Sequence, residues 1–293
     1  MELYETLVKR TIRKDVPWQR FAVFPLGDIQ LGSDGCAEDE LRQWVKRCLR
    51  LDGKFFGMGD YCDVMSPSNR VRFNSANLYD TTVAAMEDSA RRHIERLLNI
   101  LHGTEGKWLG LLEGHHYVNF ADGTTTDTRL ARALKTEFLG DCAIVRLSFN
   151  YTKNPNGPRR SLKLTFWAHH GEGGGVTQGA PLNKLERVAL GWPRVDCFLL
   201  GHYHRKGVFD LPPGMDMTDH PPYRLIASER KAILTGAWLR GYVEGQKQAG
   251  GSRAGGLYPE QKMLAPLPIG APIVWIEPRY RQSGAYISVR GES

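Results

Sequence analysis

Few of the features that classify a chain at a glance are present. Cysteine is scarce: the 293 residues hold five (Cys36, Cys48, Cys62, Cys142, Cys197), an odd set with no CxxC pair. That excludes a zinc knuckle and fits reduced thiols better than a disulfide framework. No apolar run approaches the ~20 residues that cross a bilayer. The opening MELYETLVKRTIRKDVPW is too charged for a secretory signal. A basic arm is missing as well, because the 39 Lys and Arg behind the net charge of +7 are spread along the chain. Charge therefore only leans toward anionic partners such as phosphates or nucleic acid. No repeat and no sharp change in composition divides the sequence. The expectation is a soluble cytoplasmic protein with no membrane partner, folded as a single domain over residues 1–293, with 1–20 as an N-terminal extension. An apolar fraction of 41% and a charged fraction of 24% allow a sizeable core.

What is there is alternation. RFAVFPLGD reads as a buried strand, and AEDELRQWVKRCLRL follows with Leu41, Trp44, Val45, Cys48 and Leu49 at helical spacing. GKFFGMGD and KWLGLLEG are further strands. Between them, after a loop, Val83, Met86, Ala90, Ile94, Leu97, Leu98 and Leu101 form one helical face that Gly103 ends. A shorter helix, TDTRLARALKTEFLG, precedes an expected hairpin, CAIVRLSFNYTK and RRSLKLTFWAHH joined by NPNGP. The helix APLNKLERVAL then leads into VDCFLLGHYH. From about residue 205 the runs KGVFDL, YRLIASER, KAILTGAWLRGY, APIVWIEP and GAYISVR read as a β-rich part, to about 293, that completes a second sheet. The Gly-rich EGQKQAGGSRAGGLYPEQK reads as a surface loop. Strands alternating with helices predict an α/β layered fold.

Position carries the functional signal. Five apolar runs end in metal-capable clusters: Asp28 with Gln30, Asp60 with Asp63, His115 with His116, His169 with His170, and His202 with His204. Six of the nine histidines fall in three of these clusters, which a random scatter would not produce. In α/β sheets the carboxyl ends of strands converge on one crevice. Two aspartates, several imidazoles and an amide exceed the needs of one tetrahedral ion, so two ions are expected. Mixed oxygen and nitrogen donors suit Mn, Fe or Zn. Such a pair, roughly 3.5–4 Å apart and bridged by a carboxylate, activates water and clamps a phosphoryl oxygen.

The set GDIQLG, GDYCD, GHHY, HHG and GHYH, in this order, resembles the calcineurin-like metallophosphoesterase superfamily and its pattern DxH, GDxxD, GNH(E/D), H and GHxH. The resemblance spans about residues 20–205 and points to the prokaryotic and phage-type branch. It implies a four-layered α/β/β/α sandwich of two packed mixed sheets flanked by helices. It also implies that Asp28, Gln30, Asp60 and His204 surround one divalent metal ion, with Asp60 bridging. His115, His170 and His202 complete the second. His116 then matches the histidine that protonates the leaving group, and Asp63 supports the site from behind. Two departures stand out. Gln30 replaces a histidine and loosens the first ion, whereas His115 replaces an asparagine and tightens the second.

The implied activity is hydrolysis of a phosphate ester, a phosphodiester above all, by attack of a hydroxide shared between two ions. Two alternatives stay open: a DNA or RNA nuclease like the DNA-repair exonucleases of the superfamily, and a non-catalytic binding module that kept the fold, which Gln30 favours. Around the site, His169 reads as support or packing and Cys62 as a small buried residue. Gly171–Gly175 is either a phosphate-binding nest or a flexible rim. Arg70 and Arg72, in a loop, read as reaching an anionic substrate or as part of a solvated loop, and Tyr117 and Tyr203 as lining the pocket or simply packing.

Overall fold

A computed structural model describes residues 7–13, 20–75, 78–151, 160–218, 221–243, 257–281 and 284–292. The strands are β1 (Leu7–Arg13), β2 (Phe21–Leu26), β3 (Gly53–Gly57), β4 (Trp108–Leu111), β5 (Cys142–Tyr151), β6 (Arg160–His169), β7 (Cys197–Leu200), β8 (Lys206–Met217), β9 (Leu225–Thr235), β10 (Ile273–Arg281) and β11 (Gly284–Glu292). The helices are α1 (Glu38–Cys48), α2 (Pro67–Ser75), α3 (Asp80–Ile100), α4 (Thr126–Ala133), α5 (Gly179–Gly191) and the short α6 (Tyr258–Gln261). The strands form a six-stranded sheet, β1-β5-β6-β7-β9-β8, and a five-stranded sheet, β11-β10-β2-β3-β4. Both are mixed: β2, β3 and β4 run parallel, as do β6, β7 and β9, while β10 is antiparallel to β2 and β8 to β9.

Side-chain alternation explains the layers. In β2, Phe21 and Val23 face the other sheet, where they join Phe56, Phe166, Leu199 and Val274 in one buried layer. Ala22, Phe24 and Leu26 point the opposite way, toward Leu41 and Val45 of α1 and Leu97 of α3. Trp167, Phe198 and Leu234 line the far face of the six-stranded sheet, against Leu185 and Ala189 of α5. The result is the expected α/β/β/α sandwich: helices, sheet, sheet, helix. Burial on both faces accounts for the near-continuous apolar runs of β2 and β7.

Local chemistry sets the helix ends. In α1 the first turn carries Glu38, Asp39 and Glu40 and the last turn Lys46 and Arg47, matching the helix dipole. The Thr125 and Thr128 hydroxyls cap each other's backbone at the start of α4.

The structure corrects the sequence reading at four places. Residues 67–75, read as loop, are helix α2. It lacks an apolar stripe, and its legible start was the Ser66-Pro67 pair, with Ser66 Oγ accepting from Asn69 N at 3.3 Å. LIASER and KAILT, read as parts of separate runs, form one strand, β9; buried Arg230 interrupts the apolar pattern, its guanidinium capping the Ala189 and Trp192 carbonyls at the end of α5. Val83 is exposed, and the buried face of α3 is Ala90, Ile94, Leu97 and Ile100. Part of the N-terminal extension, β1, pairs in parallel with β5, and the C-terminal β-rich part serves both sheets, since β10 and β11 join β2. The NPNGP turn and most of the Gly-rich loop lie outside the described residues. Among those residues, no helix is long and apolar enough to cross a membrane.

Candidate metal centre

All five clusters leave the carboxyl ends of parallel strands, three in one sheet (β2, β3, β4) and two in the other (β6, β7), so the sandwich brings them to one edge. The backbone there is bent sharply. Asp28 (φ 46°), Gln30 (54°), Asp60 (52°), His202 (65°) and His204 (54°) are all left-handed without being glycine. Each such residue costs on the order of 1–2 kcal/mol, a strain that collects at functional sites. The chain also passes close to itself. A Cβ on Gly114 would lie 2.0 Å from Asp60 N, and one on Gly59, at φ 89°, would lie 2.6 Å from His170 Nδ1. The glycines preceding these ligand candidates are therefore required by close approach.

Asp60, only 3% exposed, is the hub. Its Oδ1 accepts from the backbone N–H of His115 and of His116, the latter at 3.1 Å. Its Oδ2 accepts from Gln30 Nε2 at 3.0 Å and lies 3.4 Å from His170 Nε2. Burial alone would raise its pKa, but the adjacent His170 imidazole, followed by His116, outweighs that and holds the carboxyl well below its usual range. His170 is the counterpart: burial pulls it down, and Asp60 carries it up to about 9. His170 Nδ1 sits 2.6 Å from the Met58 carbonyl, which can only accept, so Nε2 is the nitrogen that can offer a lone pair.

Asp28 is fully buried. Its Oδ2 accepts from His202 N at 2.9 Å, and its Oδ1 lies 3.5 Å from His204 Nε2. Asp28 Oδ1 and His170 Nε2 are both buried without a hydrogen-bond partner. Orphaned polar atoms of this kind are expensive unless a ligand satisfies them. Asp28, Asp60 and His170 offer ligand atoms that all lie within 4.8 Å of one another, and so do His115, His170 and His202. The rings of this second group meet edge-on, with centroids 4.6, 4.8 and 5.4 Å apart. Burial lowers His115 to about 4 and lowers His202, so both are neutral near pH 7, the form that binds metal. The donor set thus fits divalent cations with mixed oxygen and nitrogen preference.

Compared with the expected sets, His115, His170 and His202 do come together. Asp28 and Asp60 come together too, with His170 common to both groups. His204 stands beside Asp28. Gln30 turns its amide nitrogen to Asp60, which leaves its neutral Oε1 as the atom available to an ion.

His116 belongs to neither group. Its Nδ1 is 2.8 Å from Asp63 Oδ1 and its Nε2 is 3.9 Å from Asp60 Oδ2. Burial would lower its pKa; the Asp63 bond and the charges of Asp60 and Asp63 outweigh this and raise it. Asp63 thus steadies the imidazole from behind and favours its protonated form, acting on His116 rather than on a ligand. His169 stacks on Trp167, with centroids 5.8 Å apart, and its Nδ1 accepts from Gly171 N at 2.8 Å, so it shapes the turn after β6.

The residues expected to meet substrate have other contacts. Arg70 Nη1 donates to the carbonyls of His115 (2.9 Å) and Tyr117 (3.1 Å), and its guanidinium lies 3.8 Å above the Tyr117 ring. Arg70 and Tyr117 therefore brace the loop that carries His115 and His116. Arg72, on the same helix, is exposed. Tyr203 is buried and donates to Glu172 O at 2.7 Å. In the segment Gly171–Gly175 the Gly171 N–H is taken by His169, and the Glu172 and Gly173 carbonyls face Tyr203, Lys184 and His202.

Sequence reading missed Asp127. Fully buried at the start of α4, it accepts from Gly114 N at 2.9 Å and from Thr126 Oγ1 at 3.2 Å, and burial raises it to about 7. Its one signal was an acidic residue in a helix's first turn, which ordinarily marks a solvated position.

No protein-family model matches the sequence, and no curated protein matches it. Among solved structures, Vacuolar Protein Sorting 29 from Cryptosporidium parvum is similar at 11% identity, over 95% of this chain and 100% of that one, with a TM-score of 0.34. A double mutant of Vps29 from Entamoeba histolytica is similar at 8% identity, over 94% and 100%, with a TM-score of 0.29. Likeness at that level carries no argument about role. The coordinates themselves define a two-sheet α/β/β/α protein with a candidate Asp/His metal site at its strand ends.

Proposed function

We propose that the chain is a metal-dependent phosphoesterase of the calcineurin-like superfamily, holding two divalent ions and acting on phosphodiesters. One observation carries the reading: Asp28 Oδ1 and His170 Nε2 are buried without partners inside a group that includes Asp60 and adjoins three imidazoles. Asp28, Asp60 and His204 would hold one ion, weakly assisted by Gln30 Oε1, and His115, His170 and His202 the other. When bound, Mn, Fe or Zn ions supply Lewis acidity toward a phosphoryl oxygen and toward water. The chain's own residues do the rest. Asp60 is kept anionic by the adjacent His170 above all, with the backbone N–H groups of His115 and His116 assisting. His116, charged through Asp63, holds a proton on Nε2 for the departing oxygen of the ester. Arg70 fixes the height of the His115–Tyr117 loop and so the position of that proton donor.

The test is metal content together with hydrolysis of an aryl phosphodiester by the manganese-loaded protein. Near two equivalents with turnover supports the reading. Less than one equivalent with no turnover favours a binding module, for which Gln30 is the supporting feature. Parallel assays on single-stranded DNA at several salt concentrations separate the nuclease alternative, since an enzyme that tracks the phosphate backbone weakens steeply with salt.

A further inference from the structure

The segment after His170 is rich in glycine, GEGGG over Gly171–Gly175, yet it is tied down. Tyr203 Oη donates to the Glu172 carbonyl at 2.7 Å, and Lys184 Nζ, from α5, donates to the same oxygen at 2.6 Å. One residue further on, the Gly173 carbonyl lies 2.9 Å from His202 Nε2. A carbonyl only accepts, so the shared hydrogen belongs to Nε2, and Nδ1 keeps the lone pair. The His202 ring also meets the rings of His115, His170 and Tyr203 at steep angles, with centroids 4.8, 5.4 and 5.5 Å away. Those contacts do not choose between the two ring nitrogens. The Gly173 carbonyl does, and it is only as well placed as the glycine chain that carries it. Gly173, at φ 78°, has wide conformational freedom of its own. The double anchor on Glu172 restricts it.

We propose that Lys184 and Tyr203 are positioning residues for the ion of the His115–His170–His202 group. They act through the Glu172 and Gly173 carbonyls, which leave His202 Nδ1 as the nitrogen that offers its lone pair. The proposal rests on the two-ion reading above. It assigns Tyr203 to the site's framework instead of its substrate surface, and it brings in Lys184, which no metal motif contains. Groups that orient a metal-binding histidine typically contribute 10–100-fold to affinity.

The experiment is a calorimetric manganese titration at pH 8 of the full chain and its Lys184→Met, Tyr203→Phe, double and Lys184→Arg variants. Long-range nitrogen–proton NMR of the imidazoles in the chelator-treated proteins accompanies it. The double variant should weaken one of two manganese steps about 10-fold and leave the other unmoved, with Lys184→Arg close to wild type. In the chelated double variant, His202 should pass from the Nε2–H form to a mixture. The proposal is overturned if the double variant keeps the Nε2–H form, or if both manganese steps weaken equally. Should the wild-type chain take up no manganese, the two-ion reading fails by itself. The tautomer measurement then still decides whether the segment governs His202.

Discussion

The two candidate ion-holding groups share His170 and are otherwise built in opposite ways. Asp28 and Asp60, at 0% and 3% exposure, are desolvated carboxylates gripped by backbone N–H groups from His202, His115 and His116. His115 and His202 are half-buried imidazoles on loops, and His202 is oriented by a carbonyl from a glycine-rich segment. One side is electrostatic and rigid. The other is neutral and depends on neighbours for its aim. The difference teaches that changes on the carboxylate side should remove function outright, while changes on the imidazole side should tune it.

The harshest way to break the contrast is Asp60→Asn. Removing the hub charge should lower aryl phosphodiester hydrolysis by about a thousandfold or more, and metal analysis should find the carboxylate-side ion lost. His116→Ala comes next. On the proposed reading of His116 as proton donor, its loss should cut kcat by about 10²-fold with metal content unchanged, and a full metal complement beside slow turnover is the signature to look for.

Asp127, which holds Gly114 between the two sides, should reveal itself through stability. Its carboxyl, ordinarily near 3.8, is raised by burial to about 7 in the folded chain, so between those values the folded state binds the extra proton. Its contribution is fully present below about pH 4 and fades as pH rises through 7. Denaturant unfolding of the chelated protein should show wild type losing a few kcal/mol relative to Asp127→Asn between pH 4 and pH 8. A pH-independent difference would refute the raised carboxyl. The mildest change, Gln30→His, makes the carboxylate side more like its neighbour and should tighten one manganese step about 10-fold, as read by calorimetry.

How much of this was legible in the sequence follows from where the information lies. Asp28, Asp60, His115, His116, His170, His202 and His204 each close an apolar run, and strand ends in such folds converge, so their gathering could be expected from position alone. Alternation of strands and helices gave an α/β layered fold, while the α/β/β/α order of layers came only from the family resemblance. The sharing of His170, the turn of Gln30 toward Asp60, and the bracing role of Arg70 depend on contacts between distant segments. Local pattern holds no trace of them. Helix α2 escaped because it buries too little to show a stripe. Asp127 escaped because a buried carboxylate and a solvated one look alike in sequence.

The left-handed backbone at positions 28, 30, 60, 202 and 204 has a consequence for how this chain would drift. Selected only for endurance to heat, it would gain by Gln30→Gly or His204→Gly, since glycine relaxes the very torsions that aim these side chains. Under the proposed function, durability and chemistry therefore pull these positions in opposite directions, because the torsions that cost stability are those that aim the candidate ligands.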